Sequence, residues 1–269
     1  MESNDVIVVS STDSLNAINK AEIDIQIATA KQYPRDLKKV LSNVRAFATM
    51  DQETAEDCFY ELKRKGSGEE KEISGLSVRF AEILVASWGN LRVQTRIIGN
   101  DGRQITAQGV CHDLENNVAV SVEVKRRITT RDGRTFSEDM QVVTGNAASA
   151  IAYRNAVLKV IPKAVTKSVV NDVRKLALQG LESDFKQKLE ATTKWFATRG
   201  VKEDELLKYL EVDCLDSIDG EKLLTLRSLC NAIVEGTTTI DETFHPAEIK
   251  SVEEKKAAMK KTGSKAKLL

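Results

Sequence analysis

Residues 91–152 read LRVQTRIIGNDGRQITAQGVCHDLENNVAVSVEVKRRITTRDGRTFSEDMQVVTGNAASAIA, and this stretch decides the fold. Three short turn signals interrupt it: Asn100-Asp101-Gly102, Asn116-Asn117 and Asp132-Gly133. Such dipeptides favour the positive-φ backbone of tight hairpins. The sequence therefore predicts a meander of four antiparallel strands, at about 91–98, 104–112, 118–128 and 135–143.

The third run alternates between apolar and polar residues, as a half-buried strand requires. Val118, Val120, Val122 and Val124 point to one face and the residues between them to the other. The small residues that follow Gly145 predict a helix that packs closely on the sheet and ends or kinks near Pro162. The predicted fold class is α+β: an antiparallel β-meander with packed helices and a small all-α C-terminal domain.

Composition divides the chain into segments. The first 20 residues are polar, and we expect them to be flexible. Upstream of the meander we expect helices at about 34–50 and 51–63, a charged loop at 64–71, and a helix capped by Ser74 or Ser77 that stops at Gly89. The segments that we predict are a flexible N-terminus 1–20, a core 21–178, an acidic helical domain 181–246 with helices at about 182–199, 203–210 and 219–235, and a basic disordered tail 247–269.

Charge is unevenly distributed although 40 basic and 40 acidic residues leave a formal net charge of zero. Residues 120–175 hold eleven Lys and Arg against five Asp and Glu. Residues 181–246 hold eight basic residues against fourteen acidic ones. This asymmetry predicts a basic binding surface on one part of the chain and a different role, such as protein contact, for the other.

Several classes of protein are disfavoured by composition. The four cysteines form no CxxC pair and there are only two histidines, so neither a disulfide framework nor a structural zinc site is expected. No apolar run approaches the roughly 20 residues that span a bilayer. The N-terminus lacks the basic region of a signal peptide, and no Gly-Lys dipeptide offers a phosphate loop for ATP. We expect a cytoplasmic protein that uses no cofactor and no membrane.

The last predicted hairpin is strongly basic. Lys125 and Arg127 share one face of a strand and Arg126 lies on the other, while Arg131 and Arg134 extend the charge around the turn. Clusters of this kind commonly contact phosphates without reading sequence. The alternative is a solvated hairpin whose charges discourage edge-to-edge aggregation.

The helix after the meander adds further candidates. Arg154 and Lys159 fall on one arc of that helix, and Lys163 and Lys167 follow beyond it. Tyr153 is a candidate for stacking on bases. These residues could line the same groove as the basic hairpin, or could form an ordinary solvent-exposed face.

A metal-dependent nuclease is the main alternative from another class. Restriction-type nucleases place an Asp and a Glu-x-Lys pair on neighbouring strands, where the carboxylates hold a divalent metal. Asp113, Glu123 and Lys125 match that pattern, although Asp113 is expected on a turn. A phage assembly or regulatory protein, whose basic hairpin mediates only assembly, is the third reading.

A resemblance supports the DNA-binding interpretation. The run Ile73-Ser74-Gly75-Leu76-Ser77-Val78-Arg79, Trp88-Gly89-Asn90 before the meander, and the Gly-Asn-Ala-Ala-Ser-Ala helix with Arg154-Asn155-Ala156 resemble phage single-strand annealing proteins of the Erf and Sak types. The same β-β-β-α order occurs in the N-terminal domain of the eukaryotic strand-annealing protein. The resemblance covers about residues 35–175.

The resemblance implies ATP-independent binding of single-stranded DNA and annealing of complementary strands in phage homologous recombination. It implies a homo-oligomeric ring or filament in the bacterial host cytoplasm, with no catalytic residue. Residues 181–246 would recruit the host single-strand binding protein or a companion exonuclease. The DNA groove would draw on Lys125, Arg127, Arg131 and Arg134 of the hairpin and on Arg154, Lys159 and Lys163 of the helix.

Overall fold

The computed structural model describes residues 11–65, 70–130 and 133–245. The expectations for the first ten residues, for Arg131 and for the tail 247–269 lie outside these ranges. No helix within them is both long enough and apolar enough to cross a membrane. The elements are α1 Ser11–Gln32, α2 Leu37–Ala48, α3 Gln52–Asp57, β1 Phe59–Lys65, β2 Glu70–Leu76, α4 Val78–Trp88, β3 Leu91–Asn100, β4 Gln104–Asp113, β5 Val118–Arg127, α5 Glu138–Val160, α6 Lys163–Ser183, α7 Phe185–Ala197, α8 Glu203–Leu210, α9 Gly220–Val234 and α10 Ile240–Phe244.

The meander forms an antiparallel sheet in the order β3-β4-β5, followed by α5. Val93 pairs with Cys111, which pairs with Val120, so these side chains share one face. Val120, Val122 and Val124 are half-buried on that face, whereas the residues between them are exposed. The predicted α+β class and the first three predicted strands are confirmed.

Helix α5 lies directly on the sheet because small residues line the contact. Ala107 of β4 and Ala148 and Ala152 of α5 are completely buried against one another. Gly109 lies opposite the backbone of α5, where an added Cβ would come within 3.0 Å of the Tyr153 nitrogen and closer still to the Ala152 carbonyl. The predicted close approach of helix and sheet therefore depends on a position without a side chain.

The predicted fourth strand at 135–143 is wrong. Only Thr135 makes a strand-like bridge, to Thr129, and α5 begins at Glu138. Ser137 caps that helix by accepting a hydrogen bond from the Met140 nitrogen, and two acidic residues occupy the first turn. This N-terminal signature satisfies free N–H groups and complements the helix dipole, so helix formation prevails over the short apolar run.

The N-terminal part also differs from the prediction. Helix α1 occupies residues expected to be flexible, and α2 begins only after the Asp36 cap rather than at Pro34. The predicted helix 51–63 ends at Asp57, and a β1-β2 hairpin replaces its second half and the ends of the predicted loop. Phe59 and Tyr60 favour an extended backbone at that point. The helix capped by Ser77 is confirmed.

One continuous hydrophobic core joins the β1-β2 hairpin, helices α2 to α9 and Cys111 of the sheet. Leu62 of β1 and Phe80 of α4 belong to the same buried cluster as Leu223, Leu226 and Leu229 of α9. The C-terminal helices lie close to their predicted positions. The division into a core 21–178 and a helical domain 181–246 stays a prediction, and the two segments bury apolar surface together.

Candidate nucleic-acid interface

The sheet has one face against α5 and a second face, here called the outer sheet face, that no described element covers along β4. Gln108 and Val110 point to this second face and remain half-buried, although β4 is the central strand. Strand register places further side chains beside them. The outer sheet face comprises Arg92, Gln94 and Arg96 of β3, Gln104, Thr106, Gln108, Val110 and His112 of β4, and Ala119, Ser121, Glu123, Lys125 and Arg127 of β5.

Positive charge crosses the outer sheet face diagonally. Arg92 and Arg96 lie about 13 Å apart along β3, because each strand residue advances the chain by about 3.3 Å. Lys125 and Arg127 continue the charge toward the far end of β5, and β5 lies about 10 Å from β3 across β4. Glu123 is the single carboxylate on this face, within the part of the chain that the structure describes.

Helix α1 borders the outer sheet face at the β3 end. Arg92 donates a 3.0 Å hydrogen bond to Gln26 and lies 3.7 Å from the Glu22 carboxylate. The Arg92 side chain is consequently only 15% exposed, whereas Arg96, Lys125 and Arg127 are exposed. Helix α1 therefore covers one cation of the diagonal, and the other three have exposed side chains.

Arg126 points to the opposite face from its two neighbours, as strand alternation predicts. Its guanidinium donates hydrogen bonds to the backbone carbonyls of Gly236 and Thr237, just beyond α9. The Arg126 side chain thus ties the sheet to the C-terminal helices, and its predicted contact with DNA stays a prediction.

The basic hairpin predicted around residues 125–134 is reduced to a short turn. The Thr130 nitrogen donates to the Arg134 carbonyl over 2.8 Å, and a single bridge closes the turn at Thr129 and Thr135. Arg134 is exposed on this turn. Arg131 lies outside the described residues, so its predicted role stays a prediction.

Arg154 does not lie on an exposed basic face, and that prediction is wrong. Its side chain is 4% exposed, lies 4.3 Å over the Tyr60 ring and makes a 3.4 Å ion pair with Glu235. Glu235 also accepts a 2.9 Å hydrogen bond from the Val78 nitrogen. Burial raises the pKa of Glu235, while these donors oppose the rise. The group links α4, α5 and the end of α9.

Tyr153 is half-buried against the main core rather than displayed as a stacking platform. Burial raises the pKa of its phenol, and the Glu82 carboxylate adds to the shift. Lys159, six residues further along α5, is exposed as predicted. Tyr153 therefore contributes chiefly to packing between α5 and the core.

The structure does not bring together the two predicted halves of the groove, which are the basic residues of the last hairpin and the basic residues of the helix after the meander. Arg126 reaches Gly236, whose backbone lies against Ala147 of α5. Lys159 lies twelve residues further along α5, a distance of about 18 Å at 1.5 Å per residue. Lys159 and Lys163 thus belong to a separate basic region at the other end of the helix.

The arrangement required for the nuclease alternative is absent. Asp113 lies on the inner face, where Arg35 donates two 2.8 Å hydrogen bonds to its carboxylate. Burial opposes ionisation, but the bonds from Arg35 and Asn116 outweigh it and lower the Asp113 pKa to about 2. Glu123 points to the outer face, five residue pairs or about 17 Å along the sheet. Among the residues described, no cluster of three potential metal ligands occurs.

Sequence reasoning overlooked Arg92 and Arg96. The alternation Arg92, Gln94, Arg96 within the first predicted strand carries the signal, since it places both arginines on one face. It was obscured because the strongest cluster of charge lies at residues 125–134. The bidentate partner of Asp113, Arg35, lies 78 positions away in the chain and has no local signal.

Chemically, the outer sheet face offers cations for phosphates and side-chain amides for polar groups on bases. Its open, shallow shape suits an extended strand better than a small molecule held in a cleft. Comparison of the chain with protein-family models, with curated proteins and with solved structures gives no match.

Proposed function

We propose that this protein binds single-stranded DNA on the outer sheet face and anneals complementary strands without ATP. The observation that carries the proposal is the diagonal of Arg92, Arg96, Lys125 and Arg127 across a sheet face left open by the described elements. The sequence resemblance to phage annealing proteins supports the same function and a role in recombination in the bacterial host cytoplasm.

The diagonal suits the backbone of a single strand. Cations that contact phosphates provide affinity without sequence preference and release counterions on binding. The amides of Gln94, between Arg92 and Arg96 on β3, and of Gln108 on the central strand β4 would form adaptable hydrogen bonds with bases. A strand held through its backbone on a shallow face keeps its bases accessible to a complementary strand. This process requires no acid–base catalyst.

A second copy of this chain is the partner that we propose at the sheet edges. Within residues 70–130 and 133–245, neither β3 nor β5 pairs with a further strand on its outer edge. Exposed apolar side chains lie beside the β3 edge: Ile97 and Ile98 are 49% and 47% exposed, and Val142 and Val143 of α5 are 63% and 58% exposed. A head-to-tail contact between β3 of one copy and β5 of the next would extend the positive diagonal and generate a ring or filament.

The C-terminal helices are proposed to recruit a protein, such as a host single-strand binding protein or a companion exonuclease. The excess of six acidic residues in 181–246 supports this role, because the segment would repel DNA. The resemblance to phage recombination proteins supplies the candidate partners.

Annealing of two complementary labelled oligonucleotides, without ATP and with or without EDTA, tests the proposal. The double variant K125E/R127E should weaken DNA binding at least about tenfold and reduce the salt dependence of the affinity by about two phosphate contacts. The matched control K175E/K186E makes the same change of charge at two exposed helical lysines away from the sheet.

Equal loss in the control variant would show that overall charge, rather than the outer sheet face, drives binding. Cleavage abolished by EDTA would replace the proposal with a nuclease. A protein that binds no DNA at moderate salt would instead be an assembly or regulatory protein.

A further inference from the structure

A cavity of about 330 Å³ lies away from the outer sheet face, between the β1-β2 hairpin and helices α6 and α9. None of the residues that line it belongs to β3, β4 or β5. A volume of this size is at the lower end of the range for small-molecule sites. The cavity is therefore separate from the surface proposed to bind single-stranded DNA.

One wall of the cavity is basic. Lys163 and Lys167 lie one turn apart on α6, and neither makes an ion pair or a side-chain hydrogen bond to the described part of the chain. Arg174 follows on the same helix face and pairs with Glu221 over 2.7 Å. Glu61 is the single carboxylate in the described lining. Because Glu221 pairs with Arg174, Lys163 and Lys167 against Glu61 leave one net positive charge, which favours a negatively charged ligand.

The lining also contains hydroxyl and backbone donors. Ser228 of α9 lines the cavity and is 1% exposed. The N-terminus of α6, at Pro162, lacks a side-chain cap, so its first N–H groups are available beside Lys163.

The remaining wall is apolar. Phe59 and Leu76 of the hairpin face Val170 of α6 and Leu224 of α9 around the cavity. A site with cations and free donors at one end and apolar side chains at the other suits a ligand with an oxyanion and a flat, weakly polar body. Inorganic phosphate alone would leave the apolar wall unused.

We propose that this cavity binds a nucleoside monophosphate, with its phosphate at Lys163 and Lys167 and its base against the apolar wall. The same chemistry occurs in a free mononucleotide and in the 5′-phosphorylated terminal nucleotide of a DNA strand. The second source would deepen the proposed function, on which it rests, by giving the protein a site for strand ends.

Isothermal titration calorimetry of the full chain with dTMP, thymidine and inorganic phosphate tests the proposal. Binding of a dT oligonucleotide with and without a 5′-phosphate distinguishes the two sources. The variants are K163Q/K167Q and Ser228→Ala, and the control is Lys175→Gln on the same helix outside the cavity lining. Thermal melting establishes that each variant is folded.

The expected result is saturable binding that K163Q/K167Q weakens at least about tenfold and Lys175→Gln leaves unchanged, because each of the two lysines donates a charge-assisted hydrogen bond to the phosphate. Binding of dTMP identifies the free nucleotide, and a preference only for the phosphorylated oligonucleotide identifies the strand end. No lysine-dependent binding in either arm, or phosphate binding as tightly as dTMP, would overturn the inference. Binding of the unphosphorylated oligonucleotide reports separately on the outer sheet face, so the two proposals fail independently.

Discussion

Replacing Asp113 by Asn should destabilise the fold by about 2–3 kcal/mol, because Asp113, the last residue of β4, forms a buried ion pair with Arg35. Its carboxylate and the Arg35 guanidinium are each 6% exposed and share two 2.8 Å hydrogen bonds. Asn116 donates a third, of 2.9 Å. The amide keeps the shape of the side chain but removes its charge and one acceptor.

The magnitude follows from two independent considerations. The pKa of Asp113 falls from 3.8 to about 2 in the folded protein, which corresponds to about 2 kcal/mol of stability at neutral pH. Removing one partner of a buried pair typically costs about 3–5 kcal/mol. Arg35 retains the Gly89 carbonyl at 3.3 Å and the Glu115 carboxylate at 3.7 Å, which reduces that penalty.

The measurement is urea denaturation of D113N and of the matched variant D172N at pH 7. Asp172 makes the same type of bond to Arg45, 2.9 Å long, but these side chains are 43% and 47% exposed. D172N should therefore cost less than about 1 kcal/mol. Equal losses in the two variants would refute the argument that burial sets the strength of the pair.

The pH dependence has a definite sign. Because the folded pKa of Asp113 is depressed, its contribution is complete above the ordinary value near 3.8 and is lost as the pH falls through about 2. The stability difference between wild type and D113N should shrink over this interval. A difference that stays constant from pH 6 to pH 2 would contradict the ionic explanation.

Three further predictions test packing, assembly and the buried network. Gly109→Ala should cost about 1–3 kcal/mol in urea denaturation, because the new methyl group meets the backbone of α5, whereas Gly99→Ala, with only ordinary contacts, should be nearly neutral. Val143→Glu should reduce the oligomer mass in light scattering, because it places a charge among the exposed apolar side chains beside the β3 edge. Val234→Glu should not, because Val234 is 71% exposed on α9, away from that edge. Arg154→Met should lower the free energy of unfolding by about 3–5 kcal/mol, because a carboxylate loses its buried partner; unchanged denaturation would contradict that role.

The sheet could be predicted from sequence because its signals are local. The alternating valines from Val118 to Val124 and the turns at Gly102 and Asn117 fix strand positions without knowledge of the rest of the chain. The same local reasoning failed at residues 135–143. There the cap at Ser137 lies beside an apolar run that fits either a strand or a helix.

The candidate site was predictable only where strand geometry decides the direction of a side chain. Lys125 and Arg127 share a face in any strand of this register, and the structure has them exposed. Arg154 could not be assigned in this way, since a helical arc does not reveal that Glu235 and Tyr60 cover it from distant parts of the chain. Long-range partners, rather than helix periodicity, determine which cations reach solvent.

Arg126 and Arg127 are consecutive in β5 but point to opposite faces. Arg126 donates hydrogen bonds just beyond α9, whereas Arg127 is exposed on the outer sheet face. A change of side chain at Arg127 alters the outer sheet face and leaves the bonds of Arg126 to Gly236 and Thr237 in place. A one-residue deletion or insertion within β5 would exchange the two faces along part of the strand, directing Arg126 outward and placing a charge against α5. The strand can therefore vary in composition far more readily than in length.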